Sequence, residues 1–177
     1  MSGQISGQPS NINFLSSLNF QLNILNYPGI NFFSNRVTLP RVMLPPVKIP
    51  TPFQDMRVTG DHVEVSPLEI TFMVDENCDN YFAILEWLTL IGFPDSWDQY
   101  STIYATAGQY TSGSLSIMNN LKVPTREIFF EKLFPIDLTN MEFASPSSDV
   151  KYVTATAKFM YQTFTVNTVN TPTQLIM

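Results

Sequence analysis

Between residues 60 and 91 the apolar residues change period across one acidic turn, in the stretch GDHVEVSPLEITFMVDENCDNYFAILEWLTLI. Leu68, Ile70 and Phe72 recur at every second position, so residues 68–74 predict a strand with one buried face. Beyond Asp75 the step lengthens. Tyr81, Ile84, Leu85, Leu88 and Ile91 recur every three or four residues and define one side of a helix at 77–91 that packs back on a sheet. Asp75, Glu76 and Asp79 sit where negative charge favours a helix N-terminus, and Gly92 and Pro94 supply the stop. Paired carboxylates can also bind a metal or act as acid and base, but helix capping accounts for these three.

The rest of the chain reads mainly as strands. Phe20, Leu22 and Ile24 alternate with Asn19, Gln21 and Asn23, and Pro28-Gly29 marks a turn into a second strand near 30–37, which predicts a hairpin. Residues 38–58 hold Pro40, Pro45, Pro46, Pro50 and Pro52, so an extended, stiffened loop is expected in place of a regular strand or helix. Its many apolar residues imply that it lies on the body or reaches onto another subunit. Residues 93–113 read as a polar loop carrying Trp97, Tyr100, Tyr104 and Tyr110, residue types favoured in subunit contacts. Residues 114–118 and 126–134 predict two further strands, and 144–149 a Ser/Pro turn. Residues 150–166 read as one long closing strand, with Val153, Ala155, Ala157, Phe159 and Tyr161 on one face and Thr154, Thr156, Lys158, Met160 and Gln162 on the other. That exceeds the usual length of about 5–6 residues and suits a barrel or a shared sheet.

Composition narrows the function. With 177 residues, 44% of them hydrophobic, the chain reads as one domain, with a flexible N-terminal arm at 1–13 and a loose tail at 167–177. Only 14% of residues are charged, while Phe numbers 14 and Tyr 7, a profile that calls for partner surfaces. A net charge of −6 and only 9 basic residues argue against gripping nucleic acid, although an acidic channel lets DNA slide past. The one cysteine, Cys78, forms no internal disulfide and suggests a reducing compartment. The N-terminus lacks the pattern of a secretion signal, and no stretch reaches the roughly 20 apolar residues of a membrane-spanning helix, so manufacture in the cytoplasm without membrane insertion is expected.

The signatures of catalysis do not occur. There is one histidine, His62, with no nucleophile-elbow, Walker A, dinucleotide, C-x-x-C or H-E-x-x-H pattern anywhere, so no catalytic residue, metal ligand or cofactor is assigned.

In order, the elements resemble the tail-tube proteins of contractile-tailed bacteriophages. The residues that carry the resemblance are Gly60-Asp61, the run from Pro67 to Glu76, Tyr81 and Trp87, the run EIFFEKLFP from Glu127 to Pro135, and residues 155–164. Over residues 16–166 the resemblance implies a mainly β subunit: an antiparallel sandwich or barrel with one flanking helix and a long Pro-rich loop at 38–59. Such subunits close into a continuous ring barrel, giving stacked homohexameric rings that conduct DNA, without binding it specifically, inside a contractile sheath. The implied partners are further copies, the sheath protein, and the baseplate and tail terminator proteins. The implied location is the virion tail, after assembly in the host cytoplasm.

By the same resemblance Leu44, Ile49 and Phe53 are inter-ring candidates. Glu64, Glu69, Thr154, Thr156 and Gln162 are candidates for the lumen, and Glu86 for the sheath-facing side. Two other readings stand beside the repeating tube subunit. One is a baseplate tube initiator or secretion-system tube of the same fold; the other is a non-enzymatic β-barrel ligand-binding module.

Overall fold

A computed structural model describes residues 13–94, 96–105, 108–143 and 152–169, which form eleven strands and three helices. In chain order these are β1 (Phe20–Ile24), α1 (Pro28–Phe33), β2 (Ser34–Thr38), β3 (Val42–Met43), β4 (Val47–Ile49), β5 (Met56–Val58), β6 (Glu64–Val65) and β7 (Leu68–Met73). They continue as α2 (Asp79–Gly92), α3 (Trp97–Ala105), β8 (Thr111–Met118), β9 (Pro124–Leu138), β10 (Thr154–Met160) and β11 (Thr163–Thr168). The predicted N-terminal arm, the turn at 144–149 and most of the tail lie outside the described residues.

Seven strands make one antiparallel sheet in the order β1-β8-β9-β10-β7-β2, with β11 also on β9. Its centre is β9, a strand of 15 residues that serves two lobes. The first half of β9 pairs with β8 on one side and β11 on the other, whereas its second half pairs with β10. Two bulges bend it between these duties. Glu131 and Lys132 together oppose the single Ser112, because Thr111 pairs with Leu133 and Gly113 with Phe130. Ile136 is a second extra residue, since Phe159 pairs with Pro135 and Lys158 with Asp137. Lys132 has φ 50, the left-handed conformation that lets a strand turn sharply.

The sheet folds round a core of Leu22, Ile24, Leu115, Ile128, Phe130 and Leu133 from the first lobe, and Leu68, Ile70, Phe72, Ala155, Ala157, Phe159 and Tyr161 from the second. Each fully buried phenylalanine removes enough apolar surface to be worth about 1.5–3 kcal/mol. The alternation in β7 and β10 falls as the sequence predicts, with Val153 half-buried and its even-numbered neighbours outward.

Helix α2 lies over the inner side of the second lobe. It buries Asn80, Ile84 and Trp87, with Tyr81, Leu88 and Ile91 beside them, and Trp87 reaches Phe159 at a ring separation of 6.1 Å. Leu85, expected on this face, is exposed instead. The packing stripe is centred one residue round, because Trp87 brings the largest apolar surface and draws the helix onto its own side. The entry to α2 is built from amides as much as from carboxylates. The N-cap is Cys78 with φ 61 and makes no side-chain capping bond; Asp75 accepts from the Asn80 N–H at 3.2 Å, and Asn80 Nδ2 donates to the Met73 carbonyl at 2.8 Å. This brace ties the end of β7 to the first turn of α2. Tyr27 stacks on Trp87 at 4.7 Å, and burial, with the charge of Glu86 adding, pushes its hydroxyl up to about 12.

Four further expectations change. The hairpin across Pro28-Gly29 does not form: β1 pairs with β8 and β2 with β7, and a helical turn joins them. Pro28 fits the first turn of a helix, and a Cβ at Gly29 would sit a tight 3.3 Å from Asn80 Cβ, so glycine eases the close packing of α1 on α2. Within 93–113 the helix α3 replaces loop; Ser96 caps it, its Oγ accepting from the Gln99 N–H at 3.3 Å, with Asp98 in the first turn. The closing strand is two strands, β10 and β11, broken at Tyr161 and Gln162 where the facing β9 bends; residues 150 and 151 lie outside the described residues. The fourth is the Pro-rich segment, described below.

Two predictions follow from β9 and Tyr27. Lys132→Val forces a β-branched residue into a left-handed conformation and lowers the unfolding free energy by about 1–2 kcal/mol, while Lys132→Gly matches or exceeds the parent in urea melts. Because the Tyr27 pKa is raised by folding, its contribution is complete below pH ~10 and is lost as pH climbs towards 12. Tyr27→Phe therefore flattens the fall in stability over that window, as measured by thermal melts at stepped pH.

Candidate assembly surfaces

Residues 39–67 leave the body as a two-stranded antiparallel ribbon. Its root continues the β2–β7 ladder without a break in register: Thr38 pairs with Glu69, Val42 with Val65 and Met43 with Glu64. Between these rungs the Ser66 N–H donates to the Arg41 carbonyl at 3.0 Å and the Arg41 N–H to Ser66 Oγ at 2.6 Å. Farther out, β4 and β5 pair Val47 with Val58, Lys48 with Arg57 and Ile49 with Met56. Between Met43–Glu64 and Val47–Val58 the register shifts by two residues, with 44–46 on one strand against 59–63 on the other. The prolines do not prevent this ladder because each stands between its short strands, where no rung needs an N–H. A Cβ at Gly60 would lie 2.1 Å from the Pro45 carbonyl oxygen, so the two backbones cross where only glycine fits.

The ribbon has two unlike faces. Val47, Val58, Ile49 and Met56 share one, and the neighbouring Lys48–Arg57 rung points to the other. Of the inter-ring candidates, Leu44 and Ile49 are about half exposed, and Phe53 at the tip is fully exposed. Val42, Val47, Met56 and Val63 are exposed beside them, an apolar surface that a lone subunit leaves in water.

The sheet itself also has open edges. Among the described residues β1 pairs only with β8, β2 only with β7 and β11 only with β9, so the strands do not close into a barrel within one chain. The outer side of the second lobe carries Glu69, Thr154 and Thr156, three of the lumen candidates, on one face. Thr71 and Thr156 hydroxyls meet there at 3.0 Å. Lys158 Nζ donates to Asp137 Oδ2 at 2.9 Å, and this bond and charge, with Glu69 adding, raise the lysine pKa. Lys158 is thereby matched by two carboxylates, and Arg36, opposite Thr71, is a second cation on the same face. Glu64 is not with this group, being out on the ribbon, and Gln162 stands exposed at the break between β10 and β11.

Glu86 is exposed on the far side of α2, with Phe82, Leu85 and Thr89 around it. Since α2 covers the inner side of the second lobe, Glu86 and the Glu69 face lie on opposite sides of the subunit. Trp97, Tyr100 and Tyr110 are exposed to differing degrees; Trp97, at 85%, stands out most. Sequence reasoning missed Asp137, which the bulge at Ile136 brings beside Lys158, and the first lobe's outer face. There Gln21, Ser116, Glu127 and Asn167 form one row and Asn23, Ser114, Phe129 and Thr165 the next. Alternating serines in β8 were the available signal.

This arrangement is the tail-tube fold, mainly β, with one helix packed on an antiparallel sheet and a long projecting ribbon. A chain of the anti-feeding prophage tube-terminating cap superposes with a TM-score of 0.65 at 11% identity, covering 93% of this chain and 99% of that one. A chain of the sheath–tube complex of the PVC extracellular contractile injection system gives 0.63 at 12% identity, covering 94% and 100%. A chain of the six-fold symmetrised anti-feeding prophage baseplate gives 0.60 at 12% identity, covering 90% and 99%. No protein-family model matches the sequence, and no curated protein matches it significantly.

Gly60→Ala separates the ribbon strands at Pro45 without touching the core. The expected result is an unchanged melting temperature with faster amide exchange confined to residues 44–63; a lowered melting temperature would place Gly60 in the cooperative body instead.

Proposed function

We propose that this chain is a non-enzymatic tube subunit of a contractile tail, whose copies close into rings and stack into the channel inside a sheath. The observation that carries this is a tube fold that, among the described residues, leaves sheet edges unpaired and an apolar ribbon exposed in the single copy. Edge-to-edge pairing satisfies the open backbone groups, and a ring is the closed form of such repeated pairing. Six copies per ring is the reading favoured by the likeness to a chain of a six-fold symmetrised assembly.

In this reading the second lobe's outer face lines the channel. Glu69, Thr154 and Thr156 then face the cargo, and Glu86 faces the sheath on the opposite side. With Lys158 bonded to Asp137 beside Glu69, Arg36 adds too little positive charge for this face to grip phosphate, which suits DNA passing through a virion tail. Leu44, Ile49 and Phe53 contact the adjacent ring, and the sheath, baseplate and terminator proteins complete the partner set after assembly in the host cytoplasm. A baseplate tube initiator is the second reading, supported by the likeness to a baseplate chain over 90% of this one. The space where a barrel-type ligand module would hold its ligand is filled here by Phe72, Phe130, Phe159 and Trp87.

Negative-stain electron microscopy of the purified protein, with its mass in solution, tests the proposal. Long hollow tubes are expected; isolated rings that never stack favour the initiator. Phe53→Asp keeps the far-ultraviolet spectrum and melting temperature of the parent, since the side chain touches no core, but shortens the tubes severalfold. Tubes of parental length would remove Phe53 from the inter-ring contact.

A further inference from the structure

The ribbon has a complementary groove at the other end of the strand from which it springs. One wall is the turn between β7 and α2, with Val74, Asp75, Glu76 and Cys78; the other is Met141, Phe143, Tyr152 and Val153, and the cavity measures about 260 Å³. Phe143 and Tyr152 are largely exposed. One wall thus offers carboxylates and the other an apolar surface, matching the cationic and apolar faces of the ribbon.

The Lys48–Arg57 rung makes the match informative. Two like charges directly opposite one another destabilise a ladder, and here they stand on a hairpin that is already short. An acidic surface across from them turns that cost into an attraction. Position then decides whose groove is used. The ribbon leaves from the Leu68 end of β7 and the groove begins just past Met73, so six residues of strand, about 20 Å, separate them and the ribbon points away.

We propose that the ribbon of one copy docks in the groove of a second copy between the β7–α2 turn and Met141, Phe143, Tyr152 and Val153. Val47, Ile49, Phe53 and Met56 meet its apolar wall, and Lys48 and Arg57 meet Glu76 and Asp75. This deepens the tube reading and rests on it, because it names the receiving surface of the inter-ring contact. The contact is head-to-tail: each copy gives a ribbon at one end and receives one at the other, so it propagates along an axis.

Cys78 is the only cysteine in the chain and lines the groove, which supplies a direct test. Gln54→Cys places a second thiol at the ribbon tip. Mild oxidation of the full-length protein should then give a ladder of disulfide-linked multimers in denaturing gels, absent from Gln54→Cys/Cys78→Ser. The double variant Lys48→Glu/Arg57→Glu, built on Gln54→Cys, should cut the ladder about tenfold, and adding Glu76→Lys should restore it. Tubes with no ladder would overturn the docking while leaving the tube reading intact. Dimers alone would overturn the head-to-tail geometry. A ladder without tubes would uphold the docking and count against the tube reading, and absence of both would overturn the two together.

Discussion

The bend in β9 at Lys132 is the constraint on which the subunit depends. One strand of 15 residues serves both lobes, so the angle at that bend sets how the inner faces of the lobes meet and how much room is left for α2. The partner chain follows suit. Where β9 bulges, β10 and β11 part at Tyr161 and Gln162, and the Gln162 N–H still donates to the Glu131 carbonyl at 3.0 Å across the gap. Tyr161 uses the same corner twice, packing its ring on Phe130 at 5.1 Å and donating its hydroxyl to the Ser66 carbonyl at 3.2 Å. The ribbon root is therefore fastened to the point where the two lobes join, and a shift at the bend moves the ribbon with it.

Low surface charge has a structural reason in such a subunit. A sheet with open edges normally defends them with lysines, prolines or covering loops. Here the outer positions of the first lobe are mostly Ser, Thr, Asn and Gln, which stay soluble yet tolerate close approach by another backbone. Few of the cations lie on those strands. Lys48 and Arg57 are out on the ribbon, and Lys158 is bonded to Asp137.

Strand phase was legible because alternation in β7 and β10 is clean and both strands have one buried face. Ile84 and the stop at Gly92 were legible in α2 for the same kind of reason. The rotation of that helix was not, since Leu85 and Trp87 both fit an apolar stripe and only tertiary packing on Phe159 chooses between them. Pairing partners were hidden too. Phe20–Ile24 and Ser34–Thr38 look like neighbours in a hairpin, but a single helical turn sends them to opposite ends of the sheet. The ribbon was masked by its prolines, whose spacing relative to the rungs is invisible until the register is known. Its candidates Leu44, Ile49 and Phe53 were found by their place in the chain, whereas the Lys48–Arg57 rung emerges only from the pairing of β4 with β5.

That rung bears on when assembly happens as well as where. A two-stranded ribbon with like charges opposed has little stability of its own, so its order in a free subunit is inherited from the continuous β2–β7 ladder at its root. In the proposed docking, the carboxylates remove the repulsion as the apolar face is covered, which makes the second copy worth more to the ribbon than any rearrangement within the first. In the proposed tube, edge pairing and ribbon docking then divide the work. Edge pairing saturates when a ring closes, because every open edge finds a partner, whereas a ribbon at one end and a groove at the other leave a fresh site after each addition. A subunit equipped with both closes in one direction and grows in the other, and the geometry of a tube needs nothing more.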